Sequence, residues 1–76
     1  MQPKELARIV GENVRRRRQE LDLTQEALAD KLGVTQSYLS EIENGKRSPL
    51  LGTLAEFSEV LEVDPAYLLT PSEVAV

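Results

Sequence analysis

Between residues 35 and 41, polar side chains with hydrogen-bond donors and acceptors recur at a spacing that places several of them on one face of a helix. They surround Leu39 and Ile42, whose three-residue spacing puts both apolar side chains on one face of a helix and the polar ones on the other. A glutamine amide contains a donor and an acceptor and can form a bidentate pair with adenine, and a small hydroxyl side chain can donate or accept. The candidate base-reading residues are Thr35, Gln36, Ser37 and Glu41.

Three residues of this stretch have more than one interpretation. Thr35 offers either a methyl group to thymine or a hydroxyl to phosphate. Glu41 is not attracted to phosphate, so it either accepts from a cytosine amino group or is an exposed charge at the groove's edge that penalises wrong sequences. The ring of Tyr38 can pack against the preceding turn while its hydroxyl reaches the DNA backbone.

Residue types that support catalysis or metal binding are scarce. The 76 residues include no cysteine and no histidine, which removes disulfides, thiolate ligands and the commonest general base. The carboxylates are spread along the helices with no nucleophile or base beside them, and no glycine-rich phosphate loop is present. The sequence therefore predicts no enzyme, no metal, no cofactor and no small-molecule ligand.

No apolar run approaches the roughly 20 residues that a membrane-spanning helix requires. The first ten residues also lack the apolar core of a signal peptide. We therefore expect a cytoplasmic protein without membrane contact. No repeat or linker is evident, so residues 1–76 are predicted to form one domain, with a core over about 5–69 and a flexible tail over 70–76.

Charge is distributed unevenly along the chain. The net charge is −4, but residues 1–50 carry nine basic and eight acidic side chains, and residues 51–76 carry five acidic and no basic ones. All the positive charge therefore lies in the part that contains the candidate base-reading residues. DNA binding requires a basic patch rather than a basic protein, so the acidic C-terminal part is expected to face away from phosphate.

Hydrophobic periodicity and capping residues predict five helices. Thr24 and Thr35 are candidate N-caps, whereas Gly33 and Asn44-Gly45 are stop signals. Residues 24–44 then form a helix-turn-helix unit, whose second helix suits the DNA major groove. The predicted helices are Lys4–Leu21, a second one from the Thr24 cap to Gly33, Gln36–Asn44, Leu51–Leu61 and a short one that starts at Asp64-Pro65.

The first and fourth helices each carry an apolar stripe at three- and four-residue intervals. The stripe residues are Leu6, Ile9, Val10 and Val14 in the first helix and Leu51, Leu54, Phe57 and Leu61 in the fourth. Gly11 is a mild interruption, tolerable at about 1 kcal/mol. Residues 15–18 are all arginine and cover the full circumference of the helix, so they cannot all face DNA. The run is either a solvated basic face or the source of one or two phosphate contacts, for which Arg17 is the candidate.

The stretch LTQEALADKLGVTQSYLSEIENGKRSP, residues 23–49, resembles the DNA-binding domain of the Cro/C1-type (XRE) family of bacterial and phage regulators. The shared residues are Leu-Thr-Gln before the second helix, Leu-Gly-Val in the turn and Ile-Glu-Asn-Gly-Lys at the end of the third. With the flanking helices, the resemblance covers about residues 5–69, and it implies an all-α, compact, five-helix lambda-repressor-like DNA-binding domain. Ser58 and Glu62 depart from the alanine and glycine that are usual in the family, which would loosen the packing or shift a helix end.

The resemblance also implies roles for individual residues. Arg18 and Glu43 match a family ion pair that links the first helix to the end of the third. Tyr67 and Leu68 lie in the region that forms the two-fold dimer contact in relatives. Gln25 is either a donor to phosphate or a base edge, or an ordinary exposed helix former. The candidate phosphate-positioning residues are Gln25, Tyr38, Ser40, Asn44, Lys46, Arg47 and Arg17.

Together, these patterns predict a homodimer that binds double-stranded DNA at a palindromic, inverted-repeat operator, with half-sites about 10 bp apart. Transcriptional repression by occlusion is favoured, because no second domain that would sense a ligand is evident. A restriction–modification controller protein and a toxin-neutralising antitoxin also suit a domain of this size. The alternative from another class is a protein-interaction module with the same fold and weak DNA affinity, which the acidic C-terminal half and Glu41 support.

Overall fold

The computed structural model describes residues 1–72, which form five α-helices and no strand. The helices are α1 (Pro3–Glu20), α2 (Gln25–Leu32), α3 (Gln36–Glu43), α4 (Leu51–Leu61) and α5 (Pro65–Leu69). The predicted all-α, five-helix fold is therefore confirmed. Two predicted helix ends extend one residue too far, because Leu21 and Asn44 are C-caps rather than the last residues of α1 and α3.

The helix-turn-helix unit is closed by the capping residues that the sequence predicts. The hydroxyls of Thr24 and Thr35 accept from the backbone N–H groups of Ala27 and Tyr38, each at 3.0 Å. Gly33 ends α2 in the left-handed conformation, with φ of 71°, which glycine adopts without steric cost. These local contacts define where α2 and α3 begin and how the chain turns between them.

Side chains from all five helices meet in one core. Leu39 and Ile42 of α3 are fully buried there, so one face of α3 is fixed against the domain and the other is left to solvent. The other large side chains with no exposed surface in the core are Val14, Leu28, Phe57, Leu61 and Leu68.

The close crossing of α1 and α3 depends on Gly11. This residue is buried, and a Cβ atom added to it would overlap the carbonyl oxygen of Ile42 and lie 2.9 Å from that of Glu43. The sequence predicts only a mild interruption of the helix at this position. The structure gives glycine a packing role instead, because it lets α1 approach the C-terminal turn of α3.

The N-terminal residue of α4 does not join the core. Leu51 is 83% exposed, so the predicted stripe is wrong at this position, although Leu54, Phe57 and Leu61 are buried. Successive three-residue steps fall short of the helical repeat of about 3.6 residues, which rotates Leu51 away from the buried face. At the other end, Glu62 adopts a left-handed φ of 60° and ends the helix where a glycine is usual. Helix α4 therefore ends at Leu61, as the sequence predicts.

Asn13 anchors α5 to α1. This buried side chain directs Nδ2 at the carbonyl oxygens of Tyr67, Leu68 and Thr70, at 3.2, 2.9 and 2.9 Å. These carbonyls lie in the last turn of α5 and just after it, where no following helical turn supplies N–H groups, although that of Tyr67 also accepts from the Thr70 N–H at 3.4 Å. The Thr70 hydroxyl also donates to the Ala66 carbonyl at 2.6 Å. The chain is therefore held through Thr70, which the sequence assigns to a flexible tail.

Residues 73–76 of that predicted tail lie outside the described residues. Over residues 1–72, no helix combines the length and the hydropathy that crossing a membrane requires.

Candidate nucleic-acid interface

The solvent face of α3 carries polar side chains at the positions that the sequence singles out. Gln36, Ser37 and Glu41 are exposed, and so is Thr35 immediately before the helix. Ser37 and Glu41 are four residues apart and lie on the same side of α3. Because the oxygen of Thr35 caps the helix, the groups that remain available on this residue are its methyl group and its hydroxyl hydrogen.

A chain of hydrogen bonds connects this face to a buried carboxylate. Gln36 Nε2 donates to Gln25 Oε1 at 3.3 Å, and Gln25 Nε2 donates to Glu43 Oε1 at 3.1 Å. Since an ionised carboxylate only accepts, Glu43 determines which end of the Gln25 amide faces Gln36. Gln25 is half-buried, so it is not an ordinary exposed helix former. Its amide donates to Glu43 and accepts from Gln36, and it thereby orients the side chain of the first residue of α3.

The carboxylate of Glu43 is paired with Arg18. Arg18 Nε and Nη2 donate to its two oxygens at 2.7 and 3.0 Å, and Arg18 Nη1 donates to the Leu23 carbonyl at 2.8 Å. The Glu43 side chain has no exposed surface, and that of Arg18 is 12% exposed. A buried charge requires both a partner and satisfied hydrogen bonds, and this bidentate arrangement supplies them between α1 and the last turn of α3.

The four consecutive arginines point in different directions. Arg18 is directed inward, as described above, and Arg17 donates to the Leu61 carbonyl at 2.9 Å and to Glu20 at 3.2 Å. Arg17 therefore satisfies a carbonyl at the C-terminal end of α4, and the phosphate contact that the sequence assigns to it stays a prediction. Its side chain is only 25% exposed, and it is held by a helix end rather than by the surface around α3.

Arg15 is the member of the run that lies beside α3. Its Nη2 donates to Asn44 Oδ1 at 3.0 Å, its Nε lies 3.5 Å from Glu43 Oε1, and the side chain is 45% exposed. Asn44 in turn donates to Ser40 Oγ at 3.4 Å. Arg15, Ser40 and Asn44 thus form one polar cluster at the C-terminal end of α3. The sequence includes Arg15 in the basic run but does not distinguish it from its neighbours.

The loop after α3 is folded back by main-chain bonds. Gly45, with φ of 74°, donates to the Ile42 carbonyl at 3.1 Å, and the N–H of Lys46 donates to the Glu41 carbonyl at 2.9 Å. This is the Schellman pattern of a helix C-terminus. It presents the exposed side chains of Lys46 and Arg47 next to the solvent face of α3.

Arg47 is paired with residues of that face. Its Nε donates to Glu41 Oε1 at 3.0 Å, and its guanidinium carbon lies 5.3 Å from the centre of the Tyr38 ring. The half-buried Tyr38 therefore supports a cation over its ring. The sequence identifies all three residues as candidates but does not predict this cluster.

The predicted dimer contact requires a correction. Leu68 has no exposed surface, because it fills the core of its own chain, and its side chain is not available to a second copy. Tyr67 is half-buried, and Arg16 packs over its ring at 5.6 Å while donating to Asn13 Oδ1 at 2.6 Å. The exposed apolar side chains of this region are Leu50, Leu51 and Leu69 instead.

An apolar groove lies beside these leucines. It runs between the N-terminal half of α1, the start of α4 and the end of α5, and it borders the loop that carries Arg47. Leu50, the residue immediately before α4, is exposed beside the groove. The residues that line it are Pro3, Leu6, Ala7, Val10, Ser48, Pro49, Leu51, Leu54 and Leu69.

Asn13 and Arg15 are the structural and surface residues that sequence reasoning missed. An asparagine in the middle of an apolar helix face is an unusual residue for a core and is the only available signal for its role. Within residues 1–72, no three aspartate, glutamate, histidine or cysteine side chains lie together in a way that could hold a metal ion.

The helix-turn-helix family HTH_3 matches residues 14–68, a range that contains α2, α3 and α4. A relative in Sinorhizobium fredii is y4dJ, named as an uncharacterized HTH-type transcriptional regulator. It is 39% identical over 69 residues, and the match covers 91% of this chain and 90% of y4dJ.

Two crystal structures share the fold. The restriction-modification controller protein C.AhdI from Aeromonas hydrophila is 29% identical with a TM-score of 0.77, over 82% of this chain and 94% of C.AhdI. The hypothetical transcription factor NHTF from Neisseria is 25% identical with a TM-score of 0.86, over 96% of this chain and 84% of NHTF.

Proposed function

This chain belongs to the helix-turn-helix family HTH_3, and we propose that it is a sequence-specific regulator of transcription that binds double-stranded DNA as a homodimer at an inverted-repeat operator. The observation that carries the proposal is the division of α3 into two faces. One face is fixed in the core by Leu39 and Ile42, whereas the other presents Gln36, Ser37 and Glu41 to solvent. An exposed polar face on the second helix of this motif suits the major groove.

Within this proposal, the residues at the start of α3 read the bases. The Gln36 amide keeps its oxygen and one N–H available beyond its bond to Gln25, which leaves the donor and acceptor that a bidentate pair with adenine requires. Thr35 and Ser37 offer a methyl group and hydroxyls beside it. The alignment of Gln36 by Gln25 lowers the conformational entropy that the side chain loses on binding.

Phosphate contacts set the register of the domain on the duplex. The N-terminus of α2, at Gln25, offers backbone N–H groups and the positive end of the helix dipole. At the other end of α3, the polar cluster of Ser40 and Asn44 and the basic side chains of Lys46 and Arg47 border the same face. Arg15, which lies beside α3, is added to these proposed phosphate contacts. Arg17 is not included, because it is held by the end of α4.

Dimerisation is proposed through the apolar groove and its exposed leucines. An apolar surface formed by Leu50, Leu51 and Leu69 is favourable to cover, and it borders the loop that carries Arg47. A second copy on this surface, related by a two-fold axis, would bring the two loops and their recognition helices to one side of the dimer. Leu51→Lys is expected to yield a monomer in sedimentation analysis without loss of helix content, because Leu51 lies outside the core.

Repression is the proposed regulatory effect, because a dimer that covers an operator at a promoter excludes polymerase without any further contact. The similarity to the controller protein C.AhdI supports a role in gene control of this general kind. A reporter gene placed behind the selected operator would test the direction of the effect: activation in the presence of the protein would contradict repression.

The decisive experiment is selection from a randomised duplex pool at near-physiological salt, followed by sequencing. An enriched inverted repeat with centres about one helical turn apart is the expected result. The affinity of the protein for this repeat should fall steeply as the salt concentration rises, because neutralised phosphates release counterions. No enrichment from folded, dimeric protein would contradict the proposal.

The second candidate is a protein-interaction module with weak DNA affinity. It is favoured by one observation: Glu41 neutralises Arg47 on the surface that should contact phosphate. Salt-insensitive binding to another protein, with no selected DNA sequence, is the outcome that this candidate predicts.

A further inference from the structure

The contact between Glu41 and Arg47 joins a residue on the solvent face of α3 to a residue of the following loop. Their side chains are 49% and 54% exposed, so both remain open to a ligand while paired. Arg47 uses Nε for this contact, and no further hydrogen bond of its two terminal nitrogens occurs in residues 1–72. A guanidinium carries five N–H donors and recognises phosphate through pairs of them.

The pair is not needed to shape the loop. The bonds from Gly45 to Ile42 and from Lys46 to Glu41 involve only main-chain atoms, and the left-handed conformation falls on a glycine. Replacing the Glu41 side chain therefore leaves the loop in place and changes only whether Arg47 has an anionic partner. An exposed ion pair of this kind is weak and can be exchanged for another partner.

We propose that Glu41 is a specificity-determining residue that controls whether Arg47 contacts the DNA backbone. The inference rests on the proposed function, since it requires DNA at the solvent face of α3. On a non-cognate duplex, the pair remains closed, so Arg47 neutralises Glu41 instead of a phosphate.

On an operator that presents a cytosine amino group to Glu41, the partners are exchanged. The carboxylate accepts from the cytosine amino group, and Arg47 leaves it to pair with a phosphate oxygen. One intramolecular contact is replaced by two contacts with DNA, one of which depends on sequence. A base at one position thereby determines a backbone contact that would otherwise be independent of sequence.

The number of phosphates that the protein neutralises provides a direct measure of this exchange. Each neutralised phosphate adds about 0.9 to the slope of log affinity against log salt. The wild-type protein should therefore show a slope steeper by about 0.9 per protomer on the selected operator than on a scrambled duplex. A purely structural role for Glu41 would not produce this difference.

The test compares wild type, Glu41→Gln, Arg47→Gln and the double variant on both duplexes over a range of salt concentrations. Glu41→Gln should bind the scrambled duplex about three- to tenfold more tightly, with the steeper slope, because Arg47 is then free on any sequence. Arg47→Gln should instead lower the operator slope to the scrambled value. In the double variant, the effect of Glu41→Gln on the scrambled duplex should disappear.

Glu59→Gln is the matched control, because it removes one exposed carboxylate from α4, away from α3. It should leave the difference between the two slopes unchanged. Equal slopes on both duplexes in the wild type, or an unchanged scrambled-duplex affinity in Glu41→Gln, would overturn the inference while sequence-specific binding persisted. If the wild type selects no operator at all, the proposed function fails, and this inference fails with it.

Discussion

The two faces of α3 each hold a glutamate paired with an arginine, and the two pairs differ in what they do. Glu43 has no exposed surface and is held by Arg18 from another helix, whereas Glu41 is half-exposed and paired with Arg47 from the next loop. The two glutamates are only two residues apart. Their opposite positions on the helix place one in the domain and the other in solvent.

The difference lies in desolvation. Burial makes a single charge costly, so the partner of Glu43 cannot be removed or exchanged without a large loss of stability. In water, the attraction between Glu41 and Arg47 is largely offset by solvation and side-chain entropy. The buried pair therefore fixes the position of α3, and the exposed pair is free to respond to a ligand.

Glu43→Ala tests the buried pair and should have the largest effect. It should lower the free energy of unfolding by about 3–5 kcal/mol, because the charge of Arg18 is left without its partner. Urea denaturation followed by circular dichroism would measure the loss. Glu41→Ala is the matched variant and should change stability by less than about 0.5 kcal/mol. Equal losses in the two variants would remove the distinction between the faces.

Gly11→Ala tests the helix crossing that brings Arg18 within reach of Glu43. The added methyl group meets main-chain carbonyls that cannot rotate away, so we expect a loss near the upper end of about 1–3 kcal/mol. Thermal unfolding would detect it. Gly52→Ala is the control, because nothing lies within 4 Å of a Cβ there. This change should be neutral or stabilising by up to about 1 kcal/mol, and destabilisation comparable to Gly11→Ala would count against a packing role for Gly11.

Gln36→Ala tests the solvent face. It should weaken binding to the selected operator by about 1–3 kcal/mol and relax the preference at one base position. Its thermal stability should stay close to that of the wild type, because the side chain is exposed. A competition assay against variant operators measures both quantities.

Lys46→Ala is the contrasting variant for Gln36→Ala. It should weaken binding to all DNA sequences about equally and lower the slope of log affinity against log salt by about 0.9, as expected for a phosphate contact. If Lys46→Ala changed the base preference and Gln36→Ala did not, the base-reading and phosphate-contacting residues would have been assigned the wrong way round.

Glu62→Gly should have the smallest effect. Its site at the end of α4, away from α3, provides a reference for the stability changes of the other variants. Relief of the left-handed conformation is worth about 1–2 kcal/mol, and the greater chain entropy of glycine offsets about 0.5–1 kcal/mol of it. We therefore expect a stabilisation of about 0.5–1 kcal/mol in chemical denaturation. Glu62→Gln retains the Cβ atom and should gain nothing, so an equal gain in that variant would attribute the effect to charge.

Local patterns were sufficient to predict the helices. Thr24, Gly33 and Thr35 act on backbone groups within four residues, so their capping roles could be inferred from sequence alone. The inward face of α3 followed from the spacing of Leu39 and Ile42. Leu51 was placed on the buried face although it is exposed, because three-residue steps fall short of the helical repeat.

Long-range contacts could not be predicted in the same way. Arg15, Arg16, Arg17 and Arg18 are identical in type, and periodicity shows only that they point in different directions. Which one meets Glu43 and which meets a helix end depends on how α1 packs against α3, α4 and α5. The resemblance to a known family identified Arg18, but it did not separate Arg15 from Arg17 or reveal the role of Asn13.

By itself, the sequence determined the number of helices, the caps of the helix-turn-helix and the polar character of one face of α3, because these depend on interactions within a few residues. Only the tertiary structure decided that Leu68 lies in the core, that Arg17 binds the end of α4 and that Glu41 holds Arg47. Each of those outcomes depends on burial and on distances between elements. A side chain's charge and type do not contain that information, because the packing of the whole domain determines how much water each group retains.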